Sequence, residues 1–157
     1  DVESRGLGDV YKRQVPASDL SRIDQMNPEN DLRSAIGANY DLQSLKGASA
    51  SGSSARNVKK RNVAQSEQDV ASTLQALYNT VISKRQSYEA ALSEYAAAEQ
   101  KMQAADRKYS LGMMGKLEYL SAQAEFLTSK SNKEVADIEL FSAMEKYDWA
   151  VKGLIMS

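Results

Sequence analysis

The chain has 157 residues, and its 20 basic and 21 acidic side chains leave a formal net charge of −1. No basic stripe argues for nucleic acid, and no acidic tail argues for a cationic partner. Cysteine and histidine are both absent, which removes disulfides, thiolate chemistry, most transition-metal sites and the usual general base near neutral pH. Neither a cofactor nor a catalytic centre is therefore expected, because catalysis needs convergent titratable groups in a pocket. No run of about 18 apolar residues is present, so no transmembrane helix is expected. The opening residues also lack the apolar core of a signal peptide.

Residues 4–14 read SRGLGDVYKRQ, a string that looks like a translated transposase-type sequencing adapter. The codons GAT-GTG-TAT-AAG-AGA-CAG, for example, encode Asp9-Val10-Tyr11-Lys12-Arg13-Gln14. A short basic arm is the competing reading. Residues 1–14 are accordingly set aside from fold reasoning, with the expectation that the natural protein extends further upstream.

Residues 15–27 carry polar and turn-forming types and read as a linker. Asn27-Pro28-Glu29 then starts a helix: Asn caps, Pro suits the first helical position, and Glu faces the positive end of the dipole. Leu32, Ala35, Ile36, Asn39 and Tyr40 follow at helical spacing, Gly37 weakens the middle, and Gly47 is a natural stop. The spacing predicts one helix over about 28–46. GASASGSS, residues 47–54, is a small-residue loop.

From about Asn57 to Ser110 neither Gly nor Pro interrupts the chain, and a helix of roughly 80 Å is predicted. Leu74, Val81, Tyr88, Tyr95, Met102 and Tyr109 recur every seventh position. Leu77, Ala91, Ala98 and Ala105 follow three residues after members of that set. A second heptad helix is predicted over about 117–152. Its large set is Tyr119, Phe126, Leu140, Tyr147 and Leu154, and its small set is Ala122, Ser129, Ala136, Ala143 and Ala150. A strict seven-residue repeat keeps its seam facing a partner through left-handed supercoiling. The predicted fold is all-α: an antiparallel coiled-coil hairpin of 57–110 and 117–152, with the helix over 28–46 stacked beside it as a third segment.

The hairpin turns over Tyr109-Ser110-Leu111-Gly112-Met113-Met114-Gly115-Lys116-Leu117. Met113 and Met114, set beside two glycines, offer adaptable apolar side chains to a partner. Glu118 sits where a carboxylate either meets a helix dipole or lines a pore mouth. Tyr88, Tyr95 and Tyr109 read as seam packing in preference to channel lining. Lys84 and Lys133 interrupt the seam and are expected to snorkel, while Lys59, Lys60, Arg61, Glu67 and Asp69 form a solvated face. The second long helix also carries another apolar stripe, Leu120, Ala124, Leu127, Val135, Ile138 and Trp149, so it is expected to contact two neighbours.

The run Tyr109-Ser110-Leu111-Gly112 through Leu117-Glu118-Tyr119-Leu120, then Ala122-Gln123, and the end Tyr147-Asp148-Trp149-Ala150-Val151 resemble the TolC-like outer-membrane efflux protein family. The similarity covers roughly residues 23–154 and is to the family's C-terminal repeat. It implies a homotrimer, each protomer with two such repeats, whose helices close a barrel in the periplasm beneath a membrane β-barrel. It further implies that Tyr109, Leu111, Gly112 and Met113, within a tip that also includes Met114, Gly115 and Leu117, dock a periplasmic adaptor serving an inner-membrane pump. By position Glu118 matches an acidic residue that can line the narrow mouth.

The chain departs from the family between its first and long helices. About ten residues, Gly47 to Arg56, stand where the family inserts two membrane strands, and each strand needs about 9–11 residues plus a turn. This repeat is thus expected to supply no membrane strands, which fits barrel-less relatives of the family, and membrane contact is expected only through segments absent from this sequence. Met114 stands where some members carry a basic residue, and Ser121 where a second acid can occur. The alternative reading is a structural coiled-coil spacer or adaptor hairpin without channel function, which would not need the second apolar stripe.

Overall fold

The computed structural model describes residues 18–154, and every described element is helical. Among the described residues five helices follow in order: α1 Ser21–Gln25, α2 Pro28–Ala38, α3 Tyr40–Gly47, α4 Ser53–Ser110 and α5 Lys116–Val151. The two long helices pack as an antiparallel hairpin. The adapter-like residues 1–14 lie outside the described residues.

Contacts divide the chain into two compact units. One holds Tyr88–Ile138 with the described end of Asp1–Asp19, and contains the hairpin turn. The other holds Leu20–Ser87 with the described part of Glu139–Ser157 and contains α1, α2 and α3.

In the turn unit, pairing runs from Tyr109 against Tyr119 to Tyr95 against Phe126, the order an antiparallel seam requires. Tyr88, Ala91 and Ala105 are buried. Lys133 places Nζ 4.2 Å from the centre of the Tyr95 ring, so this seam lysine finds a cation–π partner in addition to solvent. Asp137 is the one buried charged residue among the described residues. Its Oδ1 accepts from the Ser18 backbone N–H at 2.9 Å and from Ser18 Oγ at 2.5 Å, which offsets the cost of burying a carboxylate.

In the other unit the core is Ile23, Leu42, Leu74, Val81, Leu140, Met144 and Tyr147, each at most 2 % exposed. Each such side chain stabilises the fold by about 1.5–3 kcal/mol through removal of apolar surface from water. Tyr78 and Tyr147 meet with ring centroids 6.1 Å apart. Lys84 pairs with Glu139 at 2.7 Å, a cross-helix ion pair where snorkelling was expected. Glu67, expected on a solvated face, is held by Lys46 at 2.7 Å.

The segment 15–27 is not simply a linker, because α1 forms within it and buries Ile23 and Met26. Leu20, Ile23 and Met26 recur every third residue, which is enough for one turn to find the core. Arg22 is bonded to Glu145 at 2.9 Å and to Asp148, and Asp24 to Arg85 at 3.1 Å, all on the long helices.

The helix predicted over 28–46 is instead two. It starts as expected, with Asn27 Oδ1 accepting from the Glu29 and Asn30 backbone N–H groups and Pro28 in the first position. It breaks at Asn39, whose backbone is extended and whose Oδ1 caps α3 by accepting from the Leu42 N–H at 2.9 Å. An asparagine side chain competes with the helix for backbone donors, and Gly37 lowers the cost of breaking. The break turns Leu42 inward and leaves Tyr40, read at the helical spacing of the first helix, 81 % exposed.

Leu154, read as a seam residue, is exposed. Gly153 at φ +85° ends α5 before it. The Gly153 N–H bonds the Ala150 carbonyl at 3.0 Å and the Leu154 N–H the Trp149 carbonyl at 2.8 Å, a complete Schellman motif. The long helices differ from their predicted limits only at the ends. α4 starts at Ser53, one residue past the left-handed Gly52, and α5 runs Lys116–Val151.

Candidate docking tip

The turn is built by a second Schellman motif. α4 ends at Ser110, and Gly112 takes φ +70°. The Gly112 N–H bonds the Tyr109 carbonyl at 3.0 Å, and the Met113 N–H bonds the Lys108 carbonyl at 2.8 Å. A left-handed residue at this place favours glycine, since a β-carbon costs roughly 1–2 kcal/mol there. The Tyr119 N–H then bonds the Gly115 carbonyl at 3.0 Å, opening α5. Gly115 offers no side chain to cap the first free donors of that helix, and Glu118 lies exposed in its first turn.

This backbone projects large apolar side chains into solvent. Leu111, Met113 and Leu117 are 71 %, 73 % and 86 % exposed. Met114, paired with Met113 in the sequence reading, is half-buried instead. Three such side chains within seven positions form a concentrated apolar surface. Exposed Arg107, Lys108 and Lys116 flank them.

Behind the tip, the Tyr109 and Tyr119 rings stack 4.3 Å apart with only 8° between their planes. The Tyr119 hydroxyl donates to Asp106 Oδ1 at 2.6 Å. That hydrogen bond, which favours the neutral phenol, is the main reason the Tyr119 pKa is raised. Tyr109 was predicted to belong to the tip. The contribution of Asp106 and Tyr119 to holding it was not legible, because a pair 13 residues apart across a turn has no periodic signature.

A second exposed surface lies along α5 in the same unit. Leu120, Leu127, Val135 and Ile138 are 47–57 % exposed, and at 100° per residue they share one stripe, opposite the seam residues Phe126 and Ala136. Beside the seam runs a groove of about 550 Å³ whose lining includes Ala97, Ala98, Ala122 and Ser129. Ser129 Oγ is buried and has no hydrogen-bond partner.

No helix among the described residues is long and apolar enough to cross a membrane. Comparisons with family models, curated proteins and solved structures find no match to this chain.

Proposed function

We propose that the chain is a helical repeat of a TolC-like efflux channel of the outer membrane and periplasm. In this reading three protomers close a helical barrel, and the hairpin turn docks a periplasmic adaptor that serves an inner-membrane pump. The observation that carries the reading is the tip: the turn leaves Leu111, Met113 and Leu117 in solvent. The outer stripe of α5 supports it, because a helix apolar on opposite sides needs a second neighbour, as a closed ring of helices provides. In this reading Glu118, exposed in the first turn of α5, lines the mouth.

Only Ala48–Gly52 separates α3 from α4, so membrane strands, where the full protein has them, come from other segments. A coiled-coil spacer or adaptor hairpin is the second reading, and the α4–α5 seam alone fits it equally.

The test is the full-length protein carrying Met113→Asp, assayed for trimer formation, adaptor crosslinking and efflux. A docked rim would bury the new carboxylate unpaired, at a cost of several kcal/mol. Intact trimers that no longer crosslink are the expected result. Normal crosslinking with normal efflux overturns the docking role.

A further inference from the structure

We infer that Asp106 and Tyr119 are positioning residues, a clamp that sets the direction in which the tip presents Leu111, Met113 and Leu117. The purpose of the clamp rests on the docking role proposed above, whereas its existence does not.

The turn's own backbone leaves that direction open. The Schellman motif fixes Gly112 and Met113 to the end of α4. Among the described residues no backbone hydrogen bond ties Met114 or Gly115 to α4, and glycine at 115 adds conformational freedom. Nor does burial settle the matter, because the last seam layer is the Tyr109–Tyr119 stack and Tyr109 is itself 40 % exposed.

Tyr119 is instead held at two points by one face of α4. Asp106 and Tyr109 are three residues apart, so they lie one above the other on the last turns of that helix. Tyr109 covers the face of the Tyr119 ring, and Asp106 accepts a hydrogen bond from its hydroxyl. A single contact lets the first turn of α5 pivot. Contact at ring face and at hydroxyl removes that freedom and carries Leu117, two residues earlier on α5, with it.

The experiment is amide hydrogen exchange on the full chain in Tyr119→Phe, which keeps the stack, in Asp106→Ala, and in Asp106→Asn, which keeps an acceptor. Tyr119→Phe and Asp106→Ala are expected to speed exchange at the hydrogen-bonded amides of the tip, Leu111, Gly112, Met113 and Tyr119, roughly tenfold, the factor that one lost hydrogen bond contributes. Asp106→Asn is expected to stay near the parent, and exchange across residues 70–88 to stay unchanged in all three. Parent-like exchange at the tip in both Tyr119→Phe and Asp106→Ala overturns the clamp. So does equal acceleration across 70–88, which would mean general destabilisation.

A photo-crosslinking side chain at position 113 of the full-length protein separates this inference from the docking role. An adaptor crosslink lost in Tyr119→Phe and kept in Asp106→Asn supports positioning, and one kept in Tyr119→Phe overturns it. A crosslink missing from the parent overturns docking itself, and exchange then decides the clamp alone.

Discussion

The hydroxyl of Tyr147 donates a 2.6 Å hydrogen bond to Asp31 Oδ2, joining the C-terminal end of α5 to the first turn of α2. The same carboxylate oxygen accepts the Asn27 backbone N–H at 3.0 Å, so one aspartate both steadies the start of α2 and anchors it to the long helix. Tyr147 is 1 % exposed. Burial first, and the bond to Asp31 second, push its pKa well above the usual tyrosine value.

Alkali should therefore unfold the protein. A raised phenol pKa leaves its stabilisation fully present below the unfolded value of about 10, and the stabilisation is lost as pH climbs beyond it. Thermal melts between pH 8 and pH 11 should show stability falling above about pH 10. Tyr147→Phe should flatten the slope in part, since Tyr88 and Tyr119 are also raised. At neutral pH the same variant should cost about 1 kcal/mol for the lost hydrogen bond. An unchanged alkaline slope in Tyr147→Phe would count against this account.

The two Schellman glycines should respond unequally to alanine. At Gly112 a β-carbon meets open space, so only the left-handed backbone opposes it, at about 1–2 kcal/mol. At Gly153 the added atom would also fall 2.3 Å from the Ala38 carbonyl oxygen. Gly153→Ala should thus lower the melting temperature clearly more than Gly112→Ala. Equal losses would mean that α2 does not press on the end of α5.

Truncations on the two faces of α5 should separate stability from association. Leu140→Ala removes a fully buried side chain and should cost about 2–5 kcal/mol. Leu127→Glu lies on the 57 % exposed stripe and should change the melt by less than about 0.5 kcal/mol. Sedimentation at micromolar concentration should show the parent self-associating or only partly folded, and Leu127→Glu should associate less. A parent that sediments as a stable monomer with a sharp, cooperative melt would argue against a helical ring.

Breaking the Arg22 anchor should release α1 without melting the hairpin. Arg22 bonds Glu145 and Asp148, and the two carboxylates hold its pKa up through those bonds. Arg22→Ala should expose the α1 backbone to exchange while α4 and α5 keep their protection. Unchanged exchange in residues 20–26 would show that Ile23 and Met26 suffice.

The amino-acid order by itself determined the long helices, their antiparallel pairing and the place of the turn. A seven-residue apolar period, the Asn27-Pro28 start and stops at Gly112 and Gly153 act over one or two helical turns, so they are written in neighbouring residues. Tertiary structure alone decided what lies off that period. Ile23 and Met26 make a helix of a polar segment only because the long helices offer a place to bury them. Asn39 breaks a helix because its side-chain oxygen caps the next one and Leu42 then turns into the core. Ser18 with Asp137 and Asp31 with Tyr147 join positions 119 and 116 residues apart. Nothing local encodes such pairs, and only packing brings donor and acceptor together where water is excluded and the bond is costly to lose.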